Sequence, residues 1–168
     1  PGIVGRCLAE RHSDVAVSES CTGGLLGGAL TGVSGSSDFF RGGFLTYSNQ
    51  LKSSLLGVPE SLLETVGAVS REVALLMALE TARRLGTTYA LSTTGIAGPG
   101  GGSADKPVGT VWIGLCDTSG AQPVVFARCF RFSGDREQVR DRTVKAALQM
   151  LRHRILEVEA SLLWEIES

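Results

Sequence analysis

The sequence predicts an α/β fold: a three-layer α/β/α sandwich around a mixed, mostly parallel sheet. Short apolar runs rich in β-branched residues alternate with amphipathic stretches of helical period. Glycine clusters fall at the junctions, where strands of such sheets turn into helices. The last two strand candidates are close enough in sequence to pair as an antiparallel hairpin, which makes the sheet mixed.

Each element has its own warrant. Ile3, Val4, Cys7 and Leu8, followed by Arg11, read as a short amphipathic helix, residues 15–18 as a buried strand and 25–33 as a helix. Phe44-Leu45-Thr46-Tyr47 reads as a second strand, and Asn49 is placed to cap a helix carrying Leu51, Lys52, Leu55 and Leu56. Pro59 opens a short helix through Leu62 and Leu63. Ser70 starts a longer one, from Val73 to Leu85, which Gly86 ends as a glycine past a helix C-terminus does. Tyr89 to Thr93 is a third strand. Residues 108–116 and 124–132 are two more, joined around Thr118-Ser119-Gly120. Asp135 caps a final helix with Val139, Val144, Ala147, Leu148, Leu151 and Ile155 on its apolar face.

The 168 residues are expected to form a single domain, 43% hydrophobic and 20% charged, which excludes a disordered chain. A net charge of −1 argues against broad binding to nucleic acid or a membrane surface. The stretch from Arg128 to Arg154 departs from that balance, with eight Lys/Arg against three Asp/Glu, and suits a small anion. The four cysteines form no C-x-x-C pair, and the two histidines supply no zinc-ligand spacing, so neither a metal nor a cofactor is expected. No apolar run approaches the roughly 18 residues of a membrane helix. A reducing cytoplasm is the expected compartment.

Three glycine-rich stretches fall at or near strand ends, where ligands bind in such sheets: Thr22-Gly23-Gly24, Gly35 to Gly43, and Gly95 to Gly102. In the first, Ser20 and Cys21 stand side by side before a helix start. N–H groups from Thr22 to Gly24 are placed to stabilise an oxyanion there, and the plainer alternative is that Ser20 and Thr22 only cap the helix. His12 and His153 are poorly placed as a base for a serine. Lys52, in the apolar segment 51–58, becomes a base if burial favours its neutral amine; otherwise it is a solvated helix lysine. The 95–103 loop is no phosphate-cradling Walker loop, yet its glycines expose successive N–H groups. Arg136 and Arg140 share one face of the last helix and suit a phosphate or a local ion pair.

Seven ordered blocks then carry a resemblance: Glu19-Ser20-Cys21-Thr22-Gly23-Gly24; Gly35-Ser36-Ser37; Gly42-Gly43 with 46–49 and Lys52; Gly67-Ala68-Val69-Ser70; Thr94-Gly95-Ile96-Ala97-Gly98-Pro99; residues 106–111; and Ser133-Gly134-Asp135-Arg136. Over about residues 3 to 154 the chain resembles the CinA C-terminal domain family, the nicotinamide-nucleotide amidases, which hydrolyse nicotinamide mononucleotide to nicotinate mononucleotide and ammonia. The resemblance implies Ser20 as nucleophile, Lys52 as its partner and Tyr47 as a proton relay or orienting group. It also implies a substrate site drawn from Thr22, Gly23, Gly24, Ser37, Thr94, Gly95 and one of Arg136 or Arg140. Family members occur alone or as the C-terminal half of a two-domain protein, and both origins fit.

Two rival readings stand beside this one, a silent module that binds nucleotide or a protein partner and an amidase using Cys21. Residues 155–168, with Leu162, Leu163, Trp164 and Ile166, extend past the resemblance as a helical extension. Their apolar side chains need cover, from the body or from a second subunit, and a homodimer is expected.

Overall fold

The computed structural model describes residues 1–166. The elements follow as α1 (Gly2–Glu10), β1 (Val15–Glu19), α2 (Leu25–Thr31), β2 (Phe40–Leu45), α3 (Asn49–Leu56), α4 (Glu60–Thr65), α5 (Arg71–Leu85), β3 (Tyr89–Gly95), β4 (Thr110–Asp117), β5 (Val124–Arg131), α6 (Arg136–Ile155) and β6 (Glu165–Ile166), with a 3-10 turn at Ser36–Asp38. They form one six-stranded sheet in the order β2-β1-β3-β4-β5-β6. Among the described residues no helix is long and apolar enough to cross a membrane.

The sheet is mixed, as expected, but its parallel part is confined to β2-β1-β3. The ladders β3–β4, β4–β5 and β5–β6 are antiparallel. The cause is the connection after β3. A parallel return needs a long crossover, usually a helix, and the glycine- and proline-rich segment 96–109 forms none, so the chain doubles back.

The two faces of the sheet are chemically unlike. Val15 and Val17 of β1, Leu91 of β3, and Val111, Ile113 and Leu115 of β4 join α1, α2 and α6 in the larger core. The alternate positions are small: Ala16 and Ser18, Ala90 and Ser92, then Gly114. This face receives α5 at close range. Ser18 Oγ donates to Met77 O at 3.3 Å and Ser92 Oγ to Ala74 O at 2.6 Å. A Cβ on Gly114 would sit 2.4 Å from Ala74 O. Gly114→Ala is therefore expected to lower stability by about 1–3 kcal/mol, since backbone must shift to admit the methyl. Urea unfolding checks it, and an unchanged midpoint would show that α5 has slack.

Three expectations need correction. The second strand is Phe40–Leu45, not 44–47, because Gly42 and Gly43 belong to it; a Cβ at Gly43 would lie 2.2 Å from Val17 O. Ser48 caps α3 rather than Asn49, its side chain accepting from Leu51 N at 3.1 Å. The tail is not helical: α6 ends at Ile155, and Glu165–Ile166 pair with β5 instead. Leu162 packs against the larger core and Trp164, still 40% exposed, meets Phe132 edge-on at 6.0 Å, while Leu163 is 72% exposed. Of the tail's apolar side chains, Leu162 no longer calls for cover by a second subunit, whereas Leu163 and the outer part of Trp164 still do.

Candidate functional site

The carboxyl ends of β1, β2 and β3 converge on one place. Ser20 directly follows β1, and its N–H donates to Thr93 O at 3.0 Å, which holds it in line with the sheet. Its side chain lies on the face of Ser18, toward α5. Lys52 comes from the first turns of α3 and is 1% exposed. Its Nζ lies 3.1 Å from Ser20 Oγ, 2.8 Å from Thr46 O and 3.3 Å from Tyr47 O. Burial lowers its pKa from the ordinary amine value. The burial does not come from Leu51 and Leu55, both 38% exposed on the outer side of α3; of the three leucines only Leu56 is buried.

The three contacts of Nζ fix what the amine can do. Two are backbone carbonyls, which only accept. A neutral amine gives its two N–H groups to those carbonyls and turns its lone pair on Ser20 Oγ, the third contact and the only one with a proton to offer. His12, just after α1, and His153, in the last turn of α6, both lie toward the amino ends of β1 and β3. Neither competes for the role of base.

The turn after Ser20 is built by Glu19, a residue to which the sequence alone assigns no role. Its buried carboxylate accepts from Gly24 N at 3.0 Å, Leu26 N at 3.0 Å and Gly27 N at 2.8 Å. It thereby occupies the N-terminus of α2 that neither Ser20 nor Thr22 caps. Gly23 N donates to Ser20 O, and the left-handed φ of Gly23 and Gly24, 58° and 94°, closes the turn. The expected oxyanion donors from Thr22 to Gly24 are thus mostly used. Among the described residues the N–H groups of Cys21 and Thr22 donate to no backbone carbonyl of the turn. Thr22 Oγ1 lies 2.7 Å from Thr93 Oγ1, which pins the turn to β3. The signal for Glu19 was an acidic residue ahead of a glycine-rich helix start.

Cys21 is buried behind this turn at 5% exposure, and burial pushes its thiol up to about 12. Thiolate is scarce there near neutrality.

Thr94 follows the Glu19–Thr93 register pair on β3 as Ser20 does on β1, on the same face. Its hydroxyl donates to Ala68 O at 2.7 Å. Lys106 Nζ donates to Val66 O at 2.6 Å, so the two side chains strap the loop before α5 to the site. Gly95 is a packing glycine: a Cβ there would lie 2.6 Å from Val111 Cγ2.

Both arginines reach the site. Arg136 is exposed, with Nη1 donating to Gly98 O at 2.9 Å and Nη2 to Tyr47 Oη at 3.2 Å. Arg140 is half-buried, with Nη2 donating to Thr22 O at 2.7 Å. With Gly24 and with Gly28 of α2 they line an open groove of about 670 Å³ beside the site, whose lining includes neither Ser20 nor Lys52. Tyr47 is 59% exposed and turns its hydroxyl to Arg136; only its carbonyl touches Lys52, which leaves no proton relay through the phenol.

Ser37 is not brought to the site. Its turn precedes β2, and Val15 pairs with Phe40, so it sits at the amino ends of the strands. Five residues of β1 separate the two ends, about 16 Å. The Gly35–Gly43 stretch therefore does not lead out of the carboxyl edge where Ser20 and Lys52 meet.

Residues 2–155 match the family model described as the CinA C-terminal domain. The chain is 49% identical over 154 residues to a CinA-like protein of Rippkaea orientalis, covering 92% of this chain and 37% of the relative. It is 48% identical over 153 residues to a CinA-like protein of Synechocystis, covering 91% and 36%. The chain thus spans little more than a third of the length of these curated relatives. Among solved structures, a competence-damaged protein (CinA) superfamily protein from Klebsiella pneumoniae superposes with a TM-score of 0.87 at 30% identity, over 93% of this chain and 95% of that one. The competence/damage inducible protein of Agrobacterium tumefaciens gives 0.81 at 43% identity, over 90% and 95%.

Proposed function

The chain belongs to the CinA C-terminal domain family, and from that premise we propose that it is an amidohydrolase converting nicotinamide mononucleotide to nicotinate mononucleotide and ammonia. The observation that carries the reading is the buried Lys52 amine, held by two carbonyls with its remaining contact on Ser20 Oγ. Ser20 Oγ attacks the carboxamide carbon while its proton passes to Lys52 Nζ. The developing oxyanion faces the N–H groups of Cys21 and Thr22. Lys52 returns the proton to the nitrogen, the C–N bond breaks, and ammonia leaves an ester on Ser20. Water then attacks the ester, Lys52 takes its proton, and the carboxylate departs as Ser20 Oγ is reprotonated. The step sequence balances with water as the only co-reactant.

Of the two arginines, Arg136 is the one for the 5′-phosphate. Arg140 gives Nη2 to Thr22 O and braces the turn from a half-buried position, whereas Arg136 is exposed and its present partners are a carbonyl and a phenol that a phosphate replaces. Ammonia release with formation of nicotinate mononucleotide tests the activity, and a chain that binds mononucleotide without releasing ammonia would instead be the silent module. Arg136→Ala is expected to reduce kcat/KM on the mononucleotide about 10- to 100-fold, a charge-assisted bond of roughly 1.5–3 kcal/mol. On nicotinamide riboside, which has no phosphate, the same change is expected to cost little. Equal losses on both substrates would return Arg136 to a structural role.

A further inference from the structure

We propose that the C-terminal segment Leu162–Ile166 is a strap that positions the anion end of the site, acting through Trp164 and Arg142 on the turn that carries Arg136. The proposal rests on the reading of Arg136 given above. The strap lies outside residues 2–155 that match the family model, so it is a feature of this chain beyond the shared domain.

The strap is anchored independently of the site. Its backbone pairs with β5, Cys129 opposite Ile166 and Phe130 opposite Glu165, and Arg131 N donates to Trp164 O at 3.0 Å. The Glu165 carboxylate receives Arg128 Nη1 at 2.9 Å and Leu162 N at 2.8 Å. Its one aromatic side chain then reaches back to α6. The Arg142 guanidinium lies 4.8 Å over the Trp164 ring, and Phe132 meets the same ring edge-on.

Arg142 passes that constraint to the turn. Its Nη1 donates to Ser133 O and, at 3.0 Å, to Ser133 Oγ. Both bonds leave the same nitrogen, and the indole face under the guanidinium limits its rotation away from Ser133. The turn beyond Ser133 has little freedom of its own. Gly134 has a φ of 107°, and a Cβ there would lie 2.2 Å from Gln138 Oε1. Asp135 and Gln138 close a reciprocal capping box, Asp135 N to Gln138 Oε1 at 3.0 Å and Gln138 N to Asp135 Oδ1 at 2.9 Å. Ser133 to Gln138 therefore moves as one piece, and Arg136 moves with it. Trp164 and Arg142 are positioning residues; neither is placed against the reacting atoms.

Trp164→Ala, Trp164→Phe and the unaltered chain are compared by two readouts. In the first, Trp164→Ala raises KM for the mononucleotide about fivefold, leaves kcat within about twofold, and leaves riboside turnover unchanged. Trp164→Phe, which keeps an aromatic face for the guanidinium, restores most of the KM. In the second, amide hydrogen exchange at residues 133–138 of Trp164→Ala accelerates about tenfold, with the middle of α6 unchanged. Equal losses on mononucleotide and riboside, or exchange that accelerates in β5 but not at 133–138, would overturn the strap. The exchange readout needs no substrate. If the unaltered chain releases no ammonia from mononucleotide, the functional reading fails while the coupling of tail to turn is still decided.

Discussion

Ser20→Ala is expected to reduce ammonia release from nicotinamide mononucleotide by about four orders of magnitude or more, with mononucleotide affinity within a few-fold of the unaltered chain. The side chain lost is one hydroxyl, and its one side-chain contact, Lys52 Nζ, keeps both of its carbonyl acceptors. The turn survives because backbone and Glu19 hold it, not the hydroxyl. Nothing else nearby can take over the attack. Cys21 Sγ is buried behind the turn with its thiol pushed up to about 12. The hydroxyls of Thr22 and Thr94 are engaged with Thr93 and Ala68. Cys21→Ala is accordingly expected to keep most of the activity, losing only what a small cavity removes. Initial rates for the two variants decide between the neighbours: an active Ser20→Ala beside an inactive Cys21→Ala would move the nucleophile to the cysteine.

What was legible in the sequence divides along a physical line. Strand and helix periods, the Asp135 cap and the Gly86 stop are local signals, and they located most elements. Ser20 and Lys52 were legible as residue types in suitable segments, and the resemblance joined them. Register and direction are not local. Ser37 sits in a glycine-rich stretch like that around Gly23, yet it lies at the opposite end of β1 because β2 runs parallel to it. Tyr47 is five residues from Lys52 in sequence, and only the exit angle after β2 sends its hydroxyl to Arg136. Glu19 was hidden because its role needs the helix N-terminus folded back over it. The tail was misread as helical because its apolar residues find partners on β5 and α6, long-range contacts that no local period encodes.

Lys52→Met is expected to be as inactive as Ser20→Ala, and the double variant little worse than either, since the two side chains act as one unit. The pH dependence carries the sharper test. Only the unprotonated amine accepts a proton from Ser20, so kcat/KM of the unaltered chain rises with pH along a limb set by Lys52. Burial places that limb below the ordinary lysine value of about 10.4. Lys52→Arg keeps a positive charge and is expected to be inactive throughout, because a guanidinium does not lose its proton in this range. Stability moves in the same direction by linkage. Between the folded pKa of Lys52 and about 10.4 the unfolded chain holds a proton that the folded chain has released, so unfolding free energy rises with pH across that window and this contribution is flat on either side. The thiols of Cys21 and Cys116, pushed up to about 12 and about 11 by burial, act oppositely, as the unfolded chain loses their protons first. The measurement is therefore the difference between the unaltered chain and Lys52→Met in urea unfolding across pH, in which the Cys116 thiol cancels and the Cys21 thiol, which interacts with Lys52, cancels in part. A positive slope in that difference, ending near pH 10.4, is the expected result. A flat difference together with a pH-independent kcat/KM would mean that Lys52 enters the fold as an ordinary ammonium, and the proton of Ser20 would need another acceptor.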